Sequence, residues 1–178
     1  PGPLVVCVPW HISGGVEVPH DTWATNEALL KCTVKGGVGT LKYTWSYGDG
    51  SAPSAEATVS NKFANQGKHT YTGAAGTPYV ATCTVRDSLG RSHSDTYPVT
   101  VRDKTLDTEI NVAIDDGLWY IHQQQIRDGG TNDGTWLFSP YYASPTAAAV
   151  HALQINGHLE VGDPRENPYV ETVQRGVK

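Results

Sequence analysis

The stretch Tyr43-Thr44-Trp45-Ser46-Tyr47-Gly48-Asp49-Gly50-Ser51 decides how this chain is read. Its first half alternates aromatic rings with small hydroxyl side chains, and this period of two puts Tyr43, Trp45 and Tyr47 on one face of a β-strand. Its second half is a turn. Gly48 and Gly50 permit a tight reversal, and the Asp49 carboxylate is placed to bond the backbone. A tryptophan at the centre of such a strand is expected to fill the space between two packed sheets.

Similar strands lie on either side. Leu30, Cys32 and Val34 alternate before it, and Tyr79, Ala81, Cys83 and Val85 after it, while Thr96 to Val101 closes the series. Gly36-Gly37, Gly73 to Pro78 and Ser88-Leu89-Gly90 supply the turns. Short strands at this spacing, with no helical period between them, predict an all-β sandwich over residues 1–103.

Beyond Asp103 the pattern changes. Ile110, Ile114, Leu118 and Ile121 fall at i, i+4, i+8 and i+11, the apolar stripe of an amphipathic helix, with Asp107, Thr108 and Glu109 as its acidic start. A glycine-rich loop over Asp128 to Gly134 follows, then a helix from Pro145 to Asn156 stopped by Gly157. A third helix begins at Tyr169. Residues 104–178 therefore read as a helical segment of one helix pair and the start of another helix. Ala113 to Leu118 and Thr172 to Val177 align with apolar and glycine positions in phase, 59 residues apart. A repeat unit buries its faces against neighbours, so a single unit would not be self-sufficient.

The first region resembles a PKD domain, an immunoglobulin-like module of microbial surface and secreted proteins. Trp45-Ser46-Tyr47-Gly48-Asp49-Gly50-Ser51 is similar to that family's W-x-F/Y-G-D-G-S signature, and His69-Thr70-Tyr71 and Tyr79 to Asp87 to its later strands. The second region resembles the α/α-toroid repeats of prenyltransferases and squalene-type cyclases. There Ala113 to Tyr120 looks like the opening of a repeat, and Gln125 with Trp136 looks like the Q-W motif that ties helix ends.

Three cysteines, Cys7, Cys32 and Cys83, allow at most one internal disulfide, or all three are buried and reduced. Cys32 and Cys83 sit at inward positions and flank Trp45 in the order seen in immunoglobulin domains, whose inter-sheet bridge packs on a tryptophan; that likeness implies a Cys32–Cys83 disulfide, a bridge that typical PKD domains lack. Such a bridge would place the protein in an oxidising compartment. Cys7 reads as a buried free thiol on the first strand.

Catalytic signatures are weak. Asp115-Asp116 is less than the cyclases' D-x-D-D motif and reads as a solvated helix face. The histidines are dispersed, and His151 and His158 are separated by the end of a helix at Gly157. The run from Asp128 to Ser139 lacks the glycine and closing glutamate of a calcium loop. Calcium on Asp49, Asp87 or Asp103 is the one cofactor kept as an option, against turn-stabilising carboxylates; catalytic, cofactor and metal residues are otherwise expected to be none.

The net charge of −5, with Lys and Arg scattered singly, carries no footprint for nucleic acid. No apolar run approaches the ~20 residues of a membrane span, so no membrane insertion is expected. The sequence has no Met, which raises the expectation of a processed or partial chain. The residues expected to matter are thus structural: Cys32, Cys83, Trp45, Gly48, Asp49, Gly50, Gln125 and Trp136. The expected function is a non-enzymatic extracellular or cell-surface module for adhesion, scaffolding or self-assembly, meeting protein partners or copies of itself through the helical segment. Two alternatives stand beside it. One is an accessory segment of a larger secreted enzyme whose catalytic residues lie elsewhere. The other is a carbohydrate-binding module using Trp23, Trp119, Tyr141 and Tyr142.

Overall fold

The computed structural model describes residues 2–137 and 142–178. Among these residues ten strands are followed by three helices. The strands are β1 (Val5–Cys7), β2 (His11–Ser13), β3 (Val16–Val18), β4 (His20–Thr22), β5 (Ala28–Lys35), β6 (Lys42–Ser46), β7 (Ala57–Thr58), β8 (Asn65–His69), β9 (Pro78–Arg86) and β10 (Ser92–Val101). The helices are α1 (Leu106–Gln124), α2 (Ala143–Ile155) and α3 (Pro168–Gly176).

Two sheets make the sandwich. One has the order β1-β5-β8, the other β4-β10-β9-β6-β7, and β2-β3 is a separate hairpin. Pairing is antiparallel except where β4 runs parallel to β10. Val6, Leu30, Cys32 and Val34 from the first sheet meet Trp45, Ala81, Cys83, Val85, Tyr97 and Val99 from the second, and together they form the buried core. Trp45 is fully buried at its centre, with its ring edge-on to Tyr97 at 6.0 Å. Gly67 on β8 lies directly beneath the indole, where a Cβ would come within 2.6 Å of Trp45 Cδ1.

The Gly48-Asp49-Gly50-Ser51 turn is closed by its own side chains. Asp49 Oδ1 accepts from the Ser51 N–H and hydroxyl, and Oδ2 pairs with His69 Nε2 at 2.6 Å. Burial opposes ionisation of Asp49, but the bonds from Ser51 and His69 prevail and its pKa falls to about 2. Gly48 has φ +76°, and its Cα faces the Val80 backbone so closely that any Cβ would overlap the carbonyl.

The cysteine expectation needs correction. Cys32 and Cys83 do face each other across the core, but both are free thiols, with Sγ atoms 3.3 Å apart. The inward alternation brings the side chains together without forming the bond. Cys7 is also free, buried on β1, with its Sγ 2.9 Å from the Thr33 hydroxyl; burial is the main force pushing its pKa to about 11.

The helical segment corrects a larger expectation. It packs one face against the sandwich instead of holding that face for a neighbouring repeat. It lies on the outer face of the β1-β5-β8 sheet and makes a third layer. On β5 the inward positions are buried as alternation requires, yet Lys31 and Thr33 on the opposite face are also almost fully buried. Leu29 of β5 and Ala64 pack against a second core of Leu118, Trp119, Trp136, Leu153, Tyr169 and Val173.

Helix α1 is capped by Thr105, whose hydroxyl accepts from the Thr108 N–H. The face it buries is Thr108, Asp115, Leu118, Trp119 and His122 rather than the apolar stripe expected from spacing. Leu118 belongs to both faces and Ile121, half-buried, packs against the second core, whereas Ile110 and Ile114 point outward, 45% and 41% exposed. A sheet surface carrying Lys31 selects the polar side of the helix.

Candidate functional site

Where α1 crosses β4, β5 and the β2-β3 hairpin, five side chains that strand and helix periodicity bring together form a buried polar cluster. Lys31, wholly buried on β5, reaches out of the sheet. Its Nζ lies 2.5 Å from Asp115 Oδ2 and 2.8 Å from Asp116 Oδ1 on α1. His20 of β4 brings Nδ1 to 2.9 Å from Asp115 Oδ2, while its Nε2 donates to the Pro9 carbonyl at 3.1 Å. His11 of β2 completes the group, with Nδ1 3.9 Å from Asp115 Oδ1. Among the described residues, His11, His20 and Asp115 are a set of metal-ligating side chains close enough to share one ion.

Tyr97 holds the cluster to the core. Its ring stacks on His20 at 3.9 Å with planes 10° apart, and its hydroxyl donates to the Leu29 carbonyl. Burial by itself would push the Asp115 carboxyl up; the charges of His20 and Lys31 outweigh it and hold the group well below the usual carboxylate range. Asp115 is therefore an anion locked between layers. The expectation of a solvated helix face for Asp115-Asp116 is overturned at Asp115, which is 8% exposed. Only Asp116 has an open side.

Sequence reasoning missed His11 and His20 by treating the histidines as dispersed. The usable signal was the Gly14-Gly15 turn between them. A hairpin with His11 opposite Val18, entering β4 at His20, returns the chain to the same place. Lys31 could not be found in this way, because its partner lies 84 residues on.

The other expected residues lie elsewhere. Gln125 ends α1, and its Nε2 donates to the carbonyls of Gly134 and Thr172, so one amide joins the helix end, the following loop and α3. Trp136 donates from Nε1 to the Ile121 carbonyl. Beside them His122 is enclosed by Thr172, Arg127 and the Phe63 carbonyl. Asp49 and Asp87, considered for calcium, spend their oxygens on turn hydrogen bonds, Asp87 with Arg91 and the N–H groups of Val38 and Leu89; Asp103 is exposed.

Of the aromatic residues considered for glycans, Trp119 has a core role after all, being buried and stacked on His122 at 4.9 Å. Trp23 is half-buried beneath the Lys104 ammonium, and Tyr142 is half-buried beside α2. Tyr141 and Ser139, the end of the acidic loop considered for calcium, lie outside the described residues. His151 is exposed and His158 buried, on opposite sides of the Gly157 helix stop.

No helix among the described residues is long and apolar enough to cross a membrane. No protein-family model matches the chain, and no curated protein sequence matches it. A solved structure similar to it is the PKD domain of an M14-like peptidase from Thermoplasmatales archaeon SCGC AB-540-F20. The two are 16% identical with a TM-score of 0.37, and the match covers 56% of this chain and 93% of that one.

Proposed function

We propose that this chain is a non-enzymatic interaction module of a secreted or cell-surface protein, which associates through the outward side of its helical layer. One observation carries the reading. The face of α1 that carries Thr108, Asp115, Leu118, Trp119 and His122 is buried, which leaves Leu106, Ile110 and Ile114 facing solvent. Ile155 at the end of α2 is exposed as well and lines the same pocket as Ile114. Apolar residues gathered this way on one layer favour a protein partner over water.

The titratable groups support a structural role. Lys31, Asp115 and His20 join layers, Lys35 and Arg175 both hold Glu171 of α3, and Gln125 ties a helix end. A second copy of the chain is the partner to test first.

Sedimentation velocity over a range of concentrations provides the test. The chain is expected to self-associate, and the double variant Ile110→Asp/Ile114→Asp to sediment as a monomer with unchanged circular dichroism. A wild-type chain that stays monomeric throughout the range removes self-association, and a double variant that associates as wild type does moves the contact away from α1.

A further inference from the structure

We propose that His11, His20 and Asp115 form a metal site for Zn2+, in which two imidazoles and one carboxylate are contributed by a hairpin, a strand and a helix. The donor set is one that Zn2+ accepts, and three protein ligands leave a fourth position for water or another donor. The inference is independent of the association reading above.

Three features of the geometry carry it. The first is spacing. The His20 Nδ1 to Asp115 Oδ2 distance is 2.9 Å and the His11 Nδ1 to Asp115 Oδ1 distance 3.9 Å. Zn–N and Zn–O bonds of about 2.0–2.2 Å set tetrahedral ligand edges of roughly 3.3–3.5 Å, between these two values. The gap at His11 is too long for a hydrogen bond, whereas an ion bound to both groups would span it. The two rings are already close, with centroids 5.6 Å apart.

The second feature is the far side of His20. Its Nε2–H is given to the Pro9 carbonyl, the outer contact that orients a metal-binding imidazole and fixes its tautomer. The lone pair of Nδ1 then points at a carboxylate oxygen. A proton fits on this 2.9 Å line, whereas Zn2+, at about 2.0–2.2 Å from each ligand atom, sits to one side of it, so its uptake displaces that proton.

The third is charge and access. With the imidazoles neutral, as ligation of an ion requires, the Lys31 ammonium faces the carboxylates of Asp115 and Asp116, and the cluster keeps one net negative charge. Lys31 and His20 both approach Asp115 Oδ2, which leaves Oδ1 turned toward His11. His11 is on the rim, where it lines a pocket of about 470 Å³ with Ile12, Asn111, Ile114 and Ile155. The pocket brings solvent to His11; His20 and Asp115 lie behind that ring and do not line the pocket, so an ion would enter past His11.

The test uses tag-free protein stripped with a chelator and titrated with Zn2+ in a calorimeter, with Co2+ absorption as a second reading of the same site. One Zn2+ per chain is expected, together with the strong visible bands of four-coordinate Co2+. His11→Ala and Asp115→Asn should each weaken binding at least roughly tenfold, while His151→Ala, on an exposed helix surface, should leave it unchanged. Circular dichroism confirms that the variants are folded; if His11→Ala is not, His11→Gln replaces it, with the same expected loss. The proposal is overturned if Zn2+ is not taken up stoichiometrically, if folded His11 variants bind as tightly as wild type, or if removing His151 abolishes uptake.

Discussion

His122 is held neutral by its neighbours, and this gives the fold a dependence on acid. Its Nε2–H donates to the Phe63 carbonyl at 2.8 Å, Arg127 Nη2 donates to Nδ1 at 3.1 Å, and the Thr172 hydroxyl is 2.6 Å from Nδ1. Burial, and then the Arg127 charge, push its pKa down to about 3. In the unfolded chain the ring titrates near its ordinary value, about 6.5. The unfolded state therefore takes up a proton between those values and the folded state does not, so stability falls as pH drops through this window. At pH 4.5 the loss from this ring should reach about 2–3 kcal/mol relative to pH 7. Urea melts of wild type and His122→Gln at both pH values measure it: the gap between the two proteins should narrow in acid, and a constant gap would rule out the buried neutral ring. Cys32 makes a redox counterpart. Its contact with Cys83, then burial, raises its pKa well above the ordinary thiol value, so little thiolate is present to attack. The folded reduced chain should resist glutathione disulfide, whereas chain refolded in it should lose two mass units and gain about 4 kcal/mol of stability. Equal oxidation rates for folded and unfolded chain would show the pair to be exposed.

At the scale of elements, legibility depended on how many faces a strand or helix buries. β9 buries one face, so Ala81, Cys83 and Val85 stand out by alternation, and the turn at Gly48 to Ser51 is spelled by residues that bond one another. The sandwich could be read for that reason. β5 buries both faces, and a lysine in an alternating strand reads as solvent-facing when nothing local shows a third layer. α1 was legible as a helix and misread in orientation. Its residues offer an apolar side at Ile110 and Ile114 and a polar side at Thr108 and Asp115, and spacing favours burial of the first. The choice fell the other way because an ammonium already in the sheet would be stranded under an apolar helix face. Half of the candidate site was within reach of the sequence through the hairpin between His11 and His20. The rest depends on pairings of Lys31 with a helix that no local pattern announces.

For the whole molecule, the question is whether residues 1–103 and 104–178 are two units or one. Strand and helix grammar changes near Asp103, which favours two. The packing favours one, because the helical layer rests on β5 through Lys31, Leu29 and Lys35, and on the Phe63 carbonyl through His122. Lys31 separates these views, since it faces away from the sandwich core and has its carboxylate partners in the other part. Lys31→Met leaves Asp115 buried without its ammonium, and breaking a buried pair from one side costs about 3–5 kcal/mol. That cost falls on the attachment of the helices, while the inter-sheet core around Trp45 is left intact. Calorimetry of the wild-type chain should therefore give a single transition whose calorimetric and van't Hoff enthalpies agree. In Lys31→Met that transition should split, with the helical layer melting first and the sandwich near its original temperature. Two transitions in the wild type would mean that the sandwich and helices fold independently and that the buried ion cluster only decorates their boundary. A single transition that Lys31→Met divides would mean that the cluster makes them one cooperative unit.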